Sequence, residues 1–247
     1  MSGLSSFAPG ANAAVIGASG GIGAAISERL AADPAIGRVF ALSRSPAAFS
    51  RSTIEAKAID IEDEASVQAA AADLEDTPLD IVLVLTGVLH DGDSIQPERR
   101  LSELKPAAMQ RVFAINTVGP AIVAKHFLPL LKRRGKTVFA ALSARVGSIG
   151  DNRLGGWTSY RASKAALNQV IRTLSIEHAR RYKESVLVAL HPGTVDTRLS
   201  EPFSGRTPRD ILFSADQSAG YLLSVIDDVT AADTGGFYAW DGARIDY

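Results

Sequence analysis

A chain of 247 residues in which 46% of side chains are hydrophobic and 21% charged can bury a substantial core and has the balance of an ordinary globular protein. A formal net charge of -1 gives no electrostatic ground for a nucleic-acid partner or a membrane surface. The absence of cysteine excludes disulfides, thiolate catalysis and Cys-ligated metals. No low-complexity or linker stretch divides the chain, so one domain over residues 1–247 is expected. The N-terminus lacks a basic region followed by an apolar segment, and the apolar runs at 81–85 and 186–190 stop far short of the roughly 18 residues of a membrane span. The expected location is the cytoplasm, without membrane insertion.

In chain order, residues 13–16 form a short apolar strand, and Ile22, Ile26 and Leu30 then recur at every fourth position, the spacing of one buried helix face. Between them lies Gly17-Ala18-Ser19-Gly20-Gly21-Ile22-Gly23. Glycine there permits a tight turn, close approach of the backbone to a pyrophosphate and contact of helix with strand, while the N–H groups that open the helix face the anion. The spacing G-x-x-x-G-x-G is a weak signal alone in a chain with 21 glycines, but its place between strand and helix strengthens it. A dinucleotide site is expected here, with Gly17, Ser19, Gly21, Ile22 and Gly23 against the cofactor.

Residues 38–44 make a second strand, ending where an acid that reads the ribose of NAD is expected, about 20 residues beyond the glycines. Ser43 and Arg44 stand there instead. An arginine suits the extra 2′-phosphate of NADP, so NADP(H) is favoured over NAD(H); the competing reading of Arg44 is a solvated loop residue. A third strand over 56–59 ends at Asp60-Ile61, where Asp60 is placed to meet the adenine, and residues 67–74 form an alanine-rich helix. Residues 81–85 are a continuous aliphatic run closed by Thr86-Gly87, the pattern of a parallel strand covered on both faces. Two helical segments are expected within 102–134, interrupted or kinked at Pro106, Gly119 and Pro120, with Asn116 near the middle. The cations Lys132, Arg133, Arg134 and Lys136 read as complements to a helix C-terminus ended by Gly135. A fifth strand over 137–142, a polar loop over 143–156, a long helix from near Trp157 and a sixth strand over 186–190 complete the alternation that predicts a parallel, doubly wound α/β sheet. Functional groups are expected at its carboxyl edge.

Tyr160 and Lys164 are four apart, so on a helix they share one face. A free phenol, with a pKa near 10, is mostly neutral at pH 7, and an ammonium at about 4 Å contributes about 4 kcal/mol toward phenolate at an effective dielectric of ~20 before desolvation. That pairing makes a general acid or base for an alcohol or carbonyl. By itself Tyr-x-x-x-Lys arises in many helices by chance.

The glycine motif, Asp60-Ile61, Asn116, Tyr160/Lys164 and Pro192-Gly193 together, in this order, resemble the short-chain dehydrogenase/reductase family over essentially the whole chain. The resemblance implies a Rossmann-type, doubly wound parallel sheet in a single domain. It implies Tyr160 as proton donor or acceptor, Lys164 as the group that lowers its pKa and holds the nicotinamide ribose, and Asn116 as support for a proton-relay water. Gly87 falls on the cofactor side, and Pro192, Gly193, Val195 and Thr197, similar to the family's P-G-x-V-x-T, contact the carboxamide and pyrophosphate. The implied reaction moves a hydride between nicotinamide and a small or medium carbonyl or secondary alcohol, with no metal, in a homodimer or homotetramer. The segment from Ala144 to Asn152, Gly155-Gly156-Trp157 and Ala239-Trp240-Asp241-Gly242 are similar to the branch of C-factor proteins and sniffer-type carbonyl reductases.

Three positions depart from the pattern. Ile16 stands where a threonine is usual, and Leu85-Thr86-Gly87 replaces Asn-Ala-Gly. The family's substrate-binding serine aligns with Ala144, leaving Ser143 one residue early and Ser148 four residues late. Ser143 is the candidate catalytic hydroxyl, with Ser148 or no serine as alternatives. That departure also keeps open a cofactor-binding regulatory or signalling protein with little turnover. His90, His126, His178 and His191 lack the spacing of a zinc site. Residues 198–213 read as a loop over the active site, with Phe203, Leu212 and Phe213 either facing substrate or packing.

Overall fold

The computed structural model describes residues 3–200 and 212–247. Strand β1 (Ala11–Ile16) leads through the glycine turn into α1 (Gly21–Ala32), followed by β2 (Ile36–Ser43), β3 (Ile54–Ala58), α2 (Glu64–Ala72) and β4 (Ile81–Val84). Then come α3 (Pro106–Phe113), α4 (Gly119–Phe127), β5 (Thr137–Leu142), α5 (Thr158–His178) and β6 (Ser185–His191). The short pair β7 (Thr194–Val195) and β8 (Leu212–Phe213), helix α6 (Ala215–Asp228) and β9 (Phe237–Ala239) close the chain. The seven-stranded sheet has the order β3-β2-β1-β4-β5-β6-β9 with every pair parallel, the doubly wound Rossmann-type arrangement. Strands run outward in one direction from β1 and in the other from β4, so a crevice opens beyond their carboxyl ends.

Alternate residues of each strand point to opposite faces, and both faces are covered. Val15, Ala41, Leu83 and Val188 pack beneath α1 and α6, through Ile26, Leu30, Leu222 and Ile226. Ile16, Phe40, Val84 and Phe139 pack beneath α2, α4 and α5, through Val67, Phe127, Leu167 and Ile171. Two covered faces are why β4, β5 and β6 read as unbroken apolar runs. The first helix stays close to its strand because Gly23 has no side chain: a methyl there would run into the Gly17 carbonyl.

The two helical segments expected within 102–134 are α3 and α4, joined through a π-helical stretch, Ala114–Val118, that contains Asn116. The wider turn accommodates Pro120, which has no N–H to give, and Gly119 admits Ile61, whose Cδ1 would lie 2.8 Å from a methyl at that position. The helix then ends early, at Phe127, with a 3-10 turn, Leu128–Leu130, around Pro129. The cations at 132–136 therefore do not cap a helix. Lys132 instead pairs with the buried carboxylate of Asp80 at 2.8 Å, and Gly135, at φ 81°, turns the chain into β5.

Of the expected loop over 198–213, Phe203 lies outside the described residues. Phe213 packs edge-on against Trp240 at 4.6 Å and Tyr221 at 5.2 Å. Helix α6 starts at a capping box in which the Ser214 hydroxyl accepts from Gln217 N–H and the Gln217 side chain accepts from Ser214 N–H.

Candidate active site

The glycine turn is held by its own backbone. Gly17, at φ 94°, and Ala18 both donate to the Leu42 carbonyl at 2.8 and 3.1 Å, which locks the turn against the end of β2. No side chain caps α1, so the amides of its first turn have no side-chain acceptor, the condition for binding an anion. Gly17, Ser19, Gly21, Ile22 and Gly23 form this cradle, and two other loops meet it. A methyl on Gly21 would stand 3.0 Å from Thr197 Cγ2, and one on Gly17 would stand 3.1 Å from the Leu85 carbonyl carbon. Arg44 lies exposed just past β2 and makes no hydrogen bond or ion pair among the described residues. Asp60 follows β3, its backbone N–H donating to Ser66 Oγ and its carboxylate accepting from Glu62 N–H, while Ile61 is buried against Gly119. Pro192, Gly193, Val195 and Thr197 follow β6, with the Phe213 ring closed down on Gly193.

On the opposite side of the crevice α5 presents Tyr160 and Lys164, both buried. Lys164 Nζ donates to the Leu142 carbonyl at 2.7 Å, the last residue of β5, and lies 5.9 Å from the Tyr160 ring centroid. A methyl on Gly87 would sit 3.4 Å from that nitrogen, so the ends of β4 and β5 both face it. Burial pushes the Tyr160 phenol up from its ordinary value and holds Lys164 down to about 7. The attraction weighed for a pair at about 4 Å weakens with separation, and here burial outweighs it for both groups.

Asn116 has no exposed surface, and its amide uses both N–H donors and one acceptor site of its oxygen. Val88 N–H donates to Oδ1 at 2.8 Å, while Nδ2 donates to the Val88 carbonyl at 2.9 Å and to Ser163 Oγ at 3.1 Å. Ser163 in turn donates to the Tyr160 carbonyl at 2.8 Å, and Thr117 Oγ1 donates to the Ser163 carbonyl at 2.8 Å. The π-helical stretch thus ties the exit of β4 to the turn of α5 that carries the tyrosine.

Buried polar side-chain atoms normally have partners. Thr86 Oγ1, Ser143 Oγ and His191 Nδ1 have none, and they stand just past β4, at the end of β5 and at the end of β6, three neighbouring strands. Ser148, by contrast, accepts from Asp151 N–H at 3.1 Å. Burial brings His191 down to about 4, helped by the cation of Arg145 against the opposing charge of Asp241, so its imidazole is neutral at pH 7. Unpartnered groups on one wall, an open helix N-terminus on the other and a backbone bare enough for close approach fit a nicotinamide dinucleotide with its polar carboxamide and pyrophosphate.

The structure therefore gathers Gly17, Gly21, Gly87, Asn116, Ser143, Tyr160, Lys164 and Gly193 at one edge, with Arg44 and Asp60 flanking it. Sequence reasoning missed Ser163 as a link and Glu98, a buried carboxylate bound to the start of α5. In the run Pro97-Glu98-Arg99-Arg100 nothing distinguishes Glu98 from a solvated acid.

A doubly wound sheet with a glycine cradle on one side of its crevice and a Tyr/Lys helix on the other defines a class of dinucleotide-dependent oxidoreductases. Residues 11–206 match the family described as short chain dehydrogenase, and the chain belongs to that family. It is 32% identical over 191 residues to 1-hydroxy-2-glutathionyl-2-methyl-3-butene dehydrogenase of Rhodococcus sp. (strain AD45), covering 76% of this chain and 78% of that one. It is 34% identical over 145 residues to C-signal of Myxococcus xanthus, covering 59% and 82%. Among solved structures, NADPH bound carbonyl reductase from chicken fatty liver superimposes with a TM-score of 0.84 at 27% identity, over 98% of this chain and 100% of that chain. The protein is an enzyme of the short-chain dehydrogenase/reductase type.

Replacing Asn116 removes the acceptor of the half-buried Val88 N–H. Asn116→Ala is expected to lower unfolding free energy by about 1–3 kcal/mol in chemical denaturation, the cost of leaving such a group unpaired.

Proposed function

We propose that this enzyme is an NADP(H)-dependent reductase of small or medium carbonyls, able to run in reverse on secondary alcohols, built as one domain over residues 1–247. The observation that carries the reading is the stacking of Tyr160 and Lys164 on one face of α5 at the carboxyl edge, with Lys164 Nζ anchored on Leu142 and an unpartnered hydroxyl, Ser143, at the end of the same strand.

When bound, the dinucleotide supplies the hydride that reduces the carbonyl carbon. The glycine cradle and the amides that open α1 hold its pyrophosphate, while Asp60 and Ile61 flank the adenine side. Tyr160 gives its proton to the substrate oxygen, completing the alcohol, and the Lys164 ammonium stabilises the phenolate left behind. Ser143 donates a hydrogen bond to that oxygen in place of the serine missing at Ala144, and Asn116 keeps the loop after β4 in register with the tyrosine.

Arg44 meets the 2′-phosphate; its exposure without a partner and the NADPH carried by the carbonyl reductase from chicken fatty liver support this preference. No helix among the described residues is long and apolar enough to cross a membrane, in keeping with a small-molecule enzyme of the cytoplasm, which we assign as a homodimer or homotetramer. The intact arrangement of Tyr160, Lys164 and Asn116 weighs against a regulatory protein with little turnover.

The deciding experiment follows NADPH oxidation over a panel of aldehydes, ketones and quinones. Wild type is expected to turn over at least one class, and Tyr160→Phe to bind NADPH but lose that turnover. Arg44→Ala is expected to reduce the preference for NADPH over NADH by roughly tenfold to a hundredfold, the worth of a charge-assisted hydrogen bond. Tight NADPH binding without turnover across the panel would sink the reductase reading.

Ser143→Ala is expected to lower kcat by about 10²- to 10³-fold, as for loss of one donor to a developing oxyanion, and Ser148→Ala to leave it unchanged. Equal rates in wild type and Ser143→Ala would rule the hydroxyl out.

The pH profile has a definite sign. Lys164, held down to about 7, is an ammonium below that pH and neutral above it, while Tyr160, pushed up by burial, keeps its proton throughout the working range. Reduction should therefore slow as pH rises through the pKa of Lys164, and Lys164→Met should flatten that limb in steady-state kcat/KM measurements.

A further inference from the structure

The start of α5 is held in a way that its own sequence does not provide. Gly155, Gly156 and Trp157 have φ of 63°, 68° and 51°, three successive residues in the left-handed region, the last of them bearing an indole. Such a backbone persists at a bulky residue only where its surroundings over-determine it. Trp157 also occupies the N-cap, where Ser, Thr, Asp or Asn normally accepts from the second or third helical N–H, and an indole has no acceptor to give.

The acceptor comes from Glu98, 61 residues earlier in the chain. Its carboxylate is 4% exposed; one oxygen accepts from Ser159 N–H at 3.2 Å and the other from the Ser159 hydroxyl. Its main-chain carbonyl accepts from Trp157 N–H. Side chain and backbone of one residue thus hold both the left-handed N-cap and the second residue of the helix. Tyr160 is the next residue, and it lines a small cavity together with Glu98, Leu89, Ile95 and Val112. Trp157 meets the Tyr160 ring edge-on at 6.4 Å.

We propose that Glu98 is a positioning residue for the reduction: it caps the Tyr160 helix from outside and so sets where the phenol stands relative to the substrate oxygen. A carboxylate suits the task because it can accept from the amide and the hydroxyl of Ser159 together, and because negative charge at a helix N-terminus is favourable. The proposal rests on Tyr160 as the proton donor, and its test separates the two.

The test compares Glu98→Gln, which keeps the shape of the side chain, with Glu98→Ala and with Ser159→Ala, which removes only the hydroxyl partner. The control is Asp80→Asn, at the amino edge of the sheet, where a buried carboxylate accepts from Asn12 N–H and pairs with Lys132. Small displacements of a reacting group cost up to about 100-fold, so kcat is expected to fall about 10- to 100-fold in Glu98→Gln and further in Glu98→Ala, with KM and the NADPH Kd within about threefold of wild type. Amide hydrogen exchange at residues 158–161 is expected to accelerate relative to the rest of α5, a readout independent of turnover. Asp80→Asn is expected to lower Tm and leave kcat alone. If Glu98→Ala does not fold, Glu98→Gln and Ser159→Ala decide.

Unchanged kcat and unchanged exchange in Glu98→Gln, or a kcat loss matched by Asp80→Asn, overturns the proposal. Turnover retained in Tyr160→Phe with faster exchange at 158–161 in Glu98→Gln would instead overturn the tyrosine assignment while leaving the cap intact.

Discussion

The amide of Asn116 is the constraint on which the catalytic side of the molecule depends. It has no contact with water, and its hydrogen bonds join three segments: the π-helical stretch between α3 and α4, the loop that leaves β4, and α5. A buried amide with both ends satisfied has a defined orientation, because any rotation would strand a donor or an acceptor in an apolar interior. The π-helical stretch aims it: without the extra residue in the turn, the helix that carries Asn116 would continue in regular register past the sheet. Local irregularity in one helix therefore brings Asn116 beside Gly87, where a methyl would stand 3.5 Å from its Oδ1 and 3.4 Å from Lys164 Nζ.

Burial creates the chemistry at that crevice. Tyr160 and Lys164 are closed off beneath the edge of an apolar sheet, where charge is disfavoured in both, so the phenol keeps its proton and the amine sits near its titration point. The atoms of Thr86, Ser143 and His191 that have no protein partner line the same edge, and buried polar groups of that kind mark a place where a polar ligand can be bound. The sheet supplies the low dielectric, and its ends supply the few groups that have not been satisfied by the fold.

The sheet was legible wherever both of its faces are covered, because β4, β5 and β6 then appear as short aliphatic runs with glycine or polar closure. The shared helix face of Tyr160 and Lys164 and the glycine turn between β1 and α1 were legible because both patterns are local, four and six residues across. What resisted reading was set by contacts distant in sequence or by backbone detail. The cations at 132–136 looked like a helix terminus, yet Pro129 ends α4 before them and Asp80 claims Lys132. The apolar spacing of helix α6 is broken by Gly220, and β9 is only three residues long after Gly236, where a side chain would run into the Tyr238 ring. Which hydroxyls near the edge lack a partner, Ser143 and Thr86 rather than Ser148, depends on the folded arrangement, and no spacing reports that.

Glu98 and Asn116 together show how the loop between β4 and α3 is governed. One end, Val88, is clamped by the Asn116 amide, and the other, Glu98, is clamped by Ser159 and Trp157. Between those anchors Leu89 and Ile95 turn inward beside Tyr160, while His90 reaches across to the Arg198 carbonyl at 2.9 Å. The loop is thus fixed at one end to the π-helical stretch, which itself bonds to Ser163 of α5, and at the other directly to the start of α5. Ile95, Gln96 and Pro97, in the span between the anchors, line the small cavity beside Tyr160. The two anchors hold the backbone on either side of that cavity, so its lining is set by the span between them and its position by Asn116 and Ser159.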